Sequence, residues 1–458
     1  MKNYVIKGSV LLSLMGFMVV FCGGSALAAD YLDVAQKTGI TIQKDADGAI
    51  IWTGKYGGQN KPNGPLAGKK IGLLAASEFS DHQAYYFMSF VGEFGGQLEF
   101  VLDDNHLWKE TRPNVGSMVP HGMWGLNLDE PRVMGGSDKA DKWVALSKAD
   151  PKKYDALIII GGHSGDVLVA DPMAAEFLQK VADNGTVIAG IGAGIMPMIH
   201  LGLMNGKKCT GNRTVDYMLR EIADYRSASV ITDGKVITGR DTADSGAVLR
   251  ALCKYFDPNF VDEHKDILKG KKVMIMVTED WEDIEMSAPM LELIYRGADI
   301  IIGLFEPEMK ARTATLGLDV RTGNFGTTVP IQEIPLSYYK IIKAEDLKMS
   351  DFDLFFIPGA FNPWQVAVMH REWIKNAYAA GKLVGFICHG AIPIAAADLV
   401  RGKKVAGWMA CYDSVSIMGG THVTDAAAII DGQLVSGQTP PQVPEFVDAM
   451  TAALLMQK

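Results

Sequence analysis

Cysteine is scarce in this chain, with five residues in 458. Their spacing matches neither a zinc site nor a small disulfide framework, so neither organises the fold. No Gly-rich phosphate loop is present, and the chain is expected to work without a cofactor or metal. Positive charge is not in excess either. Lys and Arg number 44 against 53 Asp and Glu, giving a net charge of −9 and a pI of about 5.5. That balance argues against nucleic acid and anionic membrane surfaces as partners. Low-complexity tracts and long charge runs are missing too.

A long apolar run occurs once, near the start. Lys2 and Lys7 precede the stretch Val10 to Cys22, and Gly-Gly-Ser-Ala-Leu-Ala-Ala-Asp follows. Residues 1–29 read as a secretory signal peptide cut after Ala28 or Ala29, which implies export to a bacterial periplasm. The run is short for a membrane span, so no stable insertion is expected after cleavage. Phe21 is too bulky for a lipoprotein site at Cys22. Four cysteines then remain: Cys209, Cys253, Cys388 and Cys411. An oxidising compartment permits pairing, and Cys209 with Cys253 reads equally well as a disulfide or as two buried thiols.

What is present is a duplication. Lys-Lys at 69–70 opens KKIGLLAASEF, and Lys-Lys at 271–272 opens KKVMIMVTEDW. YDALIIIGG begins at Tyr154 and FDLFFIPGA at Phe352. GIGAGIMPM (190–198) answers GFICHGAIPI (385–394). Gly206-Lys207-Lys208 answers Gly402-Lys403-Lys404, and DGKVITG (233–239) answers DGQLVSG (431–437). Ordered matches at near-constant spacing indicate two tandem domains of ordinary size. The expected layout is an extension over 30–65, one unit over 66–256 and a second over 268–458, with the junction in 257–270. A hydrophobic content of 48% supplies ample core for both.

Each unit alternates short apolar runs with helical patterns. In the second, strands are expected at 273–277, 298–305, 353–359 and 383–387, and helices at 285–298, 364–381 and 444–457. A hairpin is expected over 427–437. This is an α/β pattern, a mostly parallel sheet with helices on both faces. Such sheets bind ligands at the carboxyl ends of their strands. Cys388, Gly359 and the segment from Glu279 to Glu285 all follow strand ends, so they are expected to meet.

The stretch VGFICHGAIPIAAADLVRGKKVAG (384–407) reads as a buried strand, a sharp turn bearing Cys388-His389-Gly390, and a helix. A thiol at a helix start is expected to favour its thiolate. Glu279, Asp280, Glu282 and Asp283 read as a solvated acidic loop rather than a metal site.

TEDWEDIE (278–285), IPGAFNP (357–363), the ICHG elbow (387–390) and GWMACYDSVSIMGGTHV…IIDGQLVSGQTP (407–440) together resemble the ThiJ/PfpI superfamily, a branch of the class I glutamine-amidotransferase-like fold. The resemblance spans 271–458, and more weakly 69–255. It implies two tandem flavodoxin-like, doubly wound domains. It implies that Cys388 is the nucleophilic or oxidation-sensitive cysteine, that His389 assists it, and that Glu285 is the carboxyl group touching the sulfur. Gly359 and Ala360 match the turn whose N–H groups face the cysteine as an oxyanion hole. Ala360 replaces the usual second glycine. Trp364 stands where the protease-like branch carries an acid that orients the histidine, which argues against a peptidase and suits a small carbonyl substrate. In the first unit Gly192, Ala193 and Gln83 stand where Cys388, His389 and Glu285 stand in the second. That unit is therefore expected to be a degenerate partner domain. Since family members dimerise, the repeats are expected to pack as a pseudo-dimer, with further oligomerisation left open. His163 follows Gly161-Gly162 and is a candidate for lining a remnant pocket, although a lone loop histidine reads more readily as solvated.

Three function classes follow. The leading one is a cysteine-dependent enzyme acting on small reactive carbonyls or related adducts, glyoxalase-, deglycase- or hydrolase-like, with a small-molecule substrate. The second is a redox-sensing or protective protein with an oxidisable Cys388, for which Cys411 is a candidate resolving thiol. The third is a non-catalytic periplasmic binding protein that uses the pocket of either unit. Glutamine amidotransfer is disfavoured, because no downstream His-x-Glu pair is evident.

Overall fold

The computed structural model describes residues 31–32, 41–53, 64–104, 121–124, 126, 143–307 and 320–457. The expected signal peptide lies outside the described residues, as do the 33–40 and 54–63 segments of the extension.

Two sheets carry the fold. The first contains seven strands in the order Val230–Asp233, Val236–Gly239, Val187–Ile191, Ala156–Ile159, Lys70–Ala75, Gln97–Leu102, Trp143–Ala145. All neighbours are parallel except the 230–239 hairpin. The second repeats this order with Ala426–Asp431, Leu434–Gly437, Leu383–Ile387, Leu354–Ile357, Lys272–Val277, Asp299–Leu304 and Tyr339–Lys343. The central strands Val187–Ile191 and Leu383–Ile387 are buried along their whole length, as a parallel strand covered on both faces must be.

The second sheet has two strands more than the first, and they come from the extension. Thr41–Lys44 and Ile50–Thr53 form a hairpin, and Ile50–Thr53 pairs antiparallel with Ala426–Asp431. Lys404 Nζ binds Asp45 Oδ2 (2.6 Å) and Asp47 Oδ2 (2.7 Å) on the hairpin turn. The segment preceding the first unit is thus built into the second. Neither strand is visible as a long apolar run; each has only four residues.

The expected helix over 364–381 is two helices, Asn362–Met369 and Arg371–Ala379. His370 leaves helical geometry at φ −128°, and its Nε2–H donates to the Glu306 carbonyl (2.7 Å). The side-chain bond from another segment holds the break that periodicity does not show.

Helices Asp81–Phe90 and Asp283–Tyr295 lie between the sheets and pack on each other. Nine of ten residues in the first are buried, so neither shows a one-sided apolar stripe. One continuous core includes residues of both units, with Phe87, Leu249, Met290 and Val447 among them. Buried polar contacts cross the same plane. His82 Nδ1 lies 2.9 Å from Ser287 Oγ, and Tyr86 O–H donates to Glu292 Oε2 (2.7 Å). Arg250 Nη2 donates to Glu292 Oε1 (2.5 Å) and Arg296 Nε to the same oxygen (2.9 Å). Among the described residues no helix is long and apolar enough to cross a membrane.

Candidate active site

Strand Leu383–Ile387 ends at Cys388, which sits in the left-handed region at φ +58°. A non-glycine residue there costs on the order of 1–3 kcal/mol, so the surroundings must hold it. Trp408 N–H (3.1 Å) and Cys411 Sγ–H (3.6 Å) both donate to the Cys388 carbonyl. Two residues on, Gly390 lets the turn press against the sheet: a Cβ there would lie 2.9 Å from the Ile357 carbonyl oxygen.

Glu285, in the first turn of Asp283–Tyr295, is fully buried and points at this turn. Gly359 N–H donates to its Oε2 (2.7 Å), and the carboxyl faces the Cys388 sulfur, which draws its pKa down. Gly359 is glycine for steric reasons. A Cβ would stand 2.5 Å from Glu285 Oε2 and 3.2 Å from Cys388 Sγ. Asn362 braces the other side of the loop. Its Oδ1 accepts from the Thr278 N–H (2.7 Å) and Oγ–H (2.8 Å).

Burial dominates the electrostatics. It lifts the Glu285 carboxyl to about 8, against the pull of the Gly359 N–H and the sulfur. Burial, followed by the charge of Glu285, also pushes the Cys388 thiol upward. This reverses the expectation of a thiolate held by a helix start. Cys388 is only 7% exposed, and the helix that follows, Ala391–Ala396, has a mere six residues to set against desolvation. The pair therefore rests as carboxylic acid and thiol, and Glu285 gives up its proton before Cys388 does.

His389 lies on the open side, half-buried, with Nδ1 3.4 Å from Cys388 Sγ. Desolvation lowers its pKa, which keeps the ring neutral. Its ring faces Trp408, centroid to centroid 6.3 Å. Ala360, at φ +59°, follows Gly359 in the adjoining turn. Trp364 stands apart. It is 50% exposed, and among the described residues no ring contact or hydrogen bond ties it to Cys388, His389 or Glu285.

The acidic loop is not solvated as expected. Glu279 and Asp283 are buried. Glu279 Oε2 accepts from Thr322 N–H (2.9 Å), and Asp283 accepts from Phe325 N–H (2.7 Å) and Thr327 N–H (2.8 Å). Both carboxylates pin the 320–328 segment, which no apolar pattern announces. Trp408 and Asn362 were also missed as site residues. Their signal was only their place in stretches of the second unit already singled out.

The first unit preserves the frame without the reactive groups. Gly192 holds φ +56° where Cys388 holds +58°, and Gly162 holds +80° where Ala360 holds +59°. Gln83 Oε1 accepts from Gly161 N–H (2.9 Å), as Glu285 accepts from Gly359, while its Nε2–H donates to Thr242 (2.8 Å). His163, exposed as expected, pairs with Glu78 (2.8 Å).

A duplicated, doubly wound α/β sheet with a cysteine elbow and a buried glutamate defines a class, and comparison with known proteins gives it a name. The DJ-1/PfpI family matches residues 69–254 and again 271–453, and the chain belongs to that family. The Arabidopsis thaliana protein DJ-1 homolog D is 26% identical over 323 residues, 68% of this chain and 80% of its own. A Pyrococcus abyssi protein named as a deglycase is 26% identical over 171 residues, 37% of this chain and 90% of its own. Among solved structures, a two-domain protein from Anabaena variabilis with DJ-1/ThiJ/PfpI-like and ferritin-like domains is 21% identical. It covers 41% of this chain and 48% of its own, with a TM-score of 0.33.

Proposed function

We propose that the second unit is a cysteine-dependent enzyme acting on small reactive carbonyls. The observation that carries the reading is the convergence of Cys388, Glu285 and His389 on one strained turn. For a 2-oxoaldehyde the chemistry balances without an external oxidant. The sulfur adds to the aldehyde carbon, the carbonyl oxygen takes a proton, and a hemithioacetal forms. A carboxylate at Glu285, or the neutral ring of His389, removes the proton from that carbon and returns it to the neighbouring one, while the hydroxyl proton passes to the neighbouring carbonyl oxygen. The result is a thioester of a 2-hydroxy acid. Water cleaves it, releasing the acid and restoring the thiol. Gly359 N–H is committed to Glu285, so the N–H groups of Ala360 and His389 are left to face the oxyanion. The exposed rings of Trp364 and Phe361 are placed at the rim in this reading. The deglycase name of the Pyrococcus relative belongs to similar chemistry.

Purified protein should consume methylglyoxal, and Cys388→Ala should abolish that consumption while leaving the fold intact. Undiminished turnover by Cys388→Ala would overturn the assignment. Export to the periplasm belongs to the same proposal and rests on residues 1–29; fractionation of cells expressing the full chain tests it.

A further inference from the structure

We infer that the first unit retains a second small-molecule site, which binds small carboxylates without transforming them. At the strand ends of that unit lies a cavity of about 580 Å³, a size typical of small-ligand sites. Gly192 forms part of its floor. The turn there keeps the left-handed backbone of the reactive elbow, yet it carries no side chain.

Asn212 reaches into the space so released. Thr214 N–H (3.1 Å) and the Thr214 hydroxyl both donate to Asn212 Oδ1, which fixes the amide orientation. The Nδ2 donor is thereby turned inward, 3.2 Å from where a Cβ on Gly192 would sit. Arg213 lines the same cavity and is exposed. Among the described residues no carboxylate lies within ion-pair distance of it, although its charge reaches Asp241. Arg240, also in the wall, is by contrast held by Asp241 (3.2 Å) and Asp244 (3.3 Å). An amide donor beside a guanidinium whose fork is not occupied matches a carboxylate, which can accept two parallel N–H bonds.

The opposite wall comes from the second unit. Glu333 enters the cavity lining and is fixed there by the Trp124 Nε1–H (3.1 Å) and the Ser80 hydroxyl. The site is therefore complete only when both halves of the chain are docked. Burial lifts the Glu333 carboxyl to about 7, so its charge opposes an entering anion less than a surface glutamate would. Among the described residues no cysteine lines this cavity, and both ends of the Gln83 amide are occupied, so the thiol chemistry of the second unit has no counterpart here. Binding without turnover follows.

Isothermal titration calorimetry of the full chain tests this, with lactate as the probe and lactamide as the uncharged control. Lactate should bind saturably and lactamide should not. Arg213→Glu and, independently, Asn212→Leu should each weaken lactate binding by about tenfold or more, whereas Cys388→Ala should leave it unchanged. The inference is overturned if lactate gives no saturable heat, if lactamide binds as tightly, if neither substitution in the first unit affects binding, or if Cys388→Ala abolishes it.

Discussion

At the residue scale, the molecule contains its own control for Glu285. Gln83 occupies the equivalent place in the first unit and makes the same bond to the glycine turn. Glu285→Gln should therefore fold normally, with the amide oxygen accepting the Gly359 N–H. It should keep a donor for the sulfur but lose the group that carries a proton. Methylglyoxal turnover is expected to fall by about 10²–10⁴-fold with near-native thermal unfolding, measured by steady-state kinetics and calorimetry side by side. Cys388, His389 and Glu285 were legible because a dipeptide at a strand-to-helix turn and an acid after the first strand are local patterns. The protonation state was not legible. It depends on how deeply both groups are buried, a property of the assembled core.

Among the elements, four parallel strands of the second sheet and its closing hairpin were read nearly at their true bounds, since buried strands are continuous apolar runs, whereas the half-exposed edge strand Tyr339–Lys343 was not. Short pieces stabilised from a distance escaped: the 41–53 hairpin, the break at His370 and the 320–328 segment held by Glu279 and Asp283. The hairpin makes a direct prediction. Trp52 is fully buried where the hairpin lies on Ala426–Asp431. Trp52→Ala should cost about 3–5 kcal/mol in denaturant unfolding. Hydrogen exchange should then speed up in Ala426–Asp431 of the second unit before the strands of the first. Uniform loosening of both sheets would contradict the placement.

On the scale of the whole molecule, the two units share one core and one buried charge cluster. Glu292 stands between Arg250 and Arg296, and burial opposes its charge while the two guanidinium groups hold its pKa down at about 2. Removing that charge leaves two buried cations facing each other without a carboxylate between them. Glu292→Gln is expected to lose about 3–5 kcal/mol of stability, read from chemical denaturation. It should loosen both units together, because Arg250 belongs to the first and Arg296 to the second. A loss confined to one unit would argue that the halves are held mainly by apolar contact. Duplication was plain in the sequence, whereas this network was not, because Arg250 lies 42 residues from Glu292, and Glu292 with Arg296, four residues on, resembles an ordinary surface pair.

The most direct test of the central claim is the pH dependence of Cys388 alkylation by iodoacetamide, followed by peptide mass spectrometry in the native protein and in Glu285→Gln. Burial and the charge of Glu285 both push the Cys388 thiol up, so the native rate should stay low at neutral pH and climb only at alkaline pH. In Glu285→Gln the charge that opposes the thiolate is gone, so the rise should move to lower pH and the rate at alkaline pH should increase. A native profile unaffected by the substitution, or moved by it to higher pH, would contradict the account.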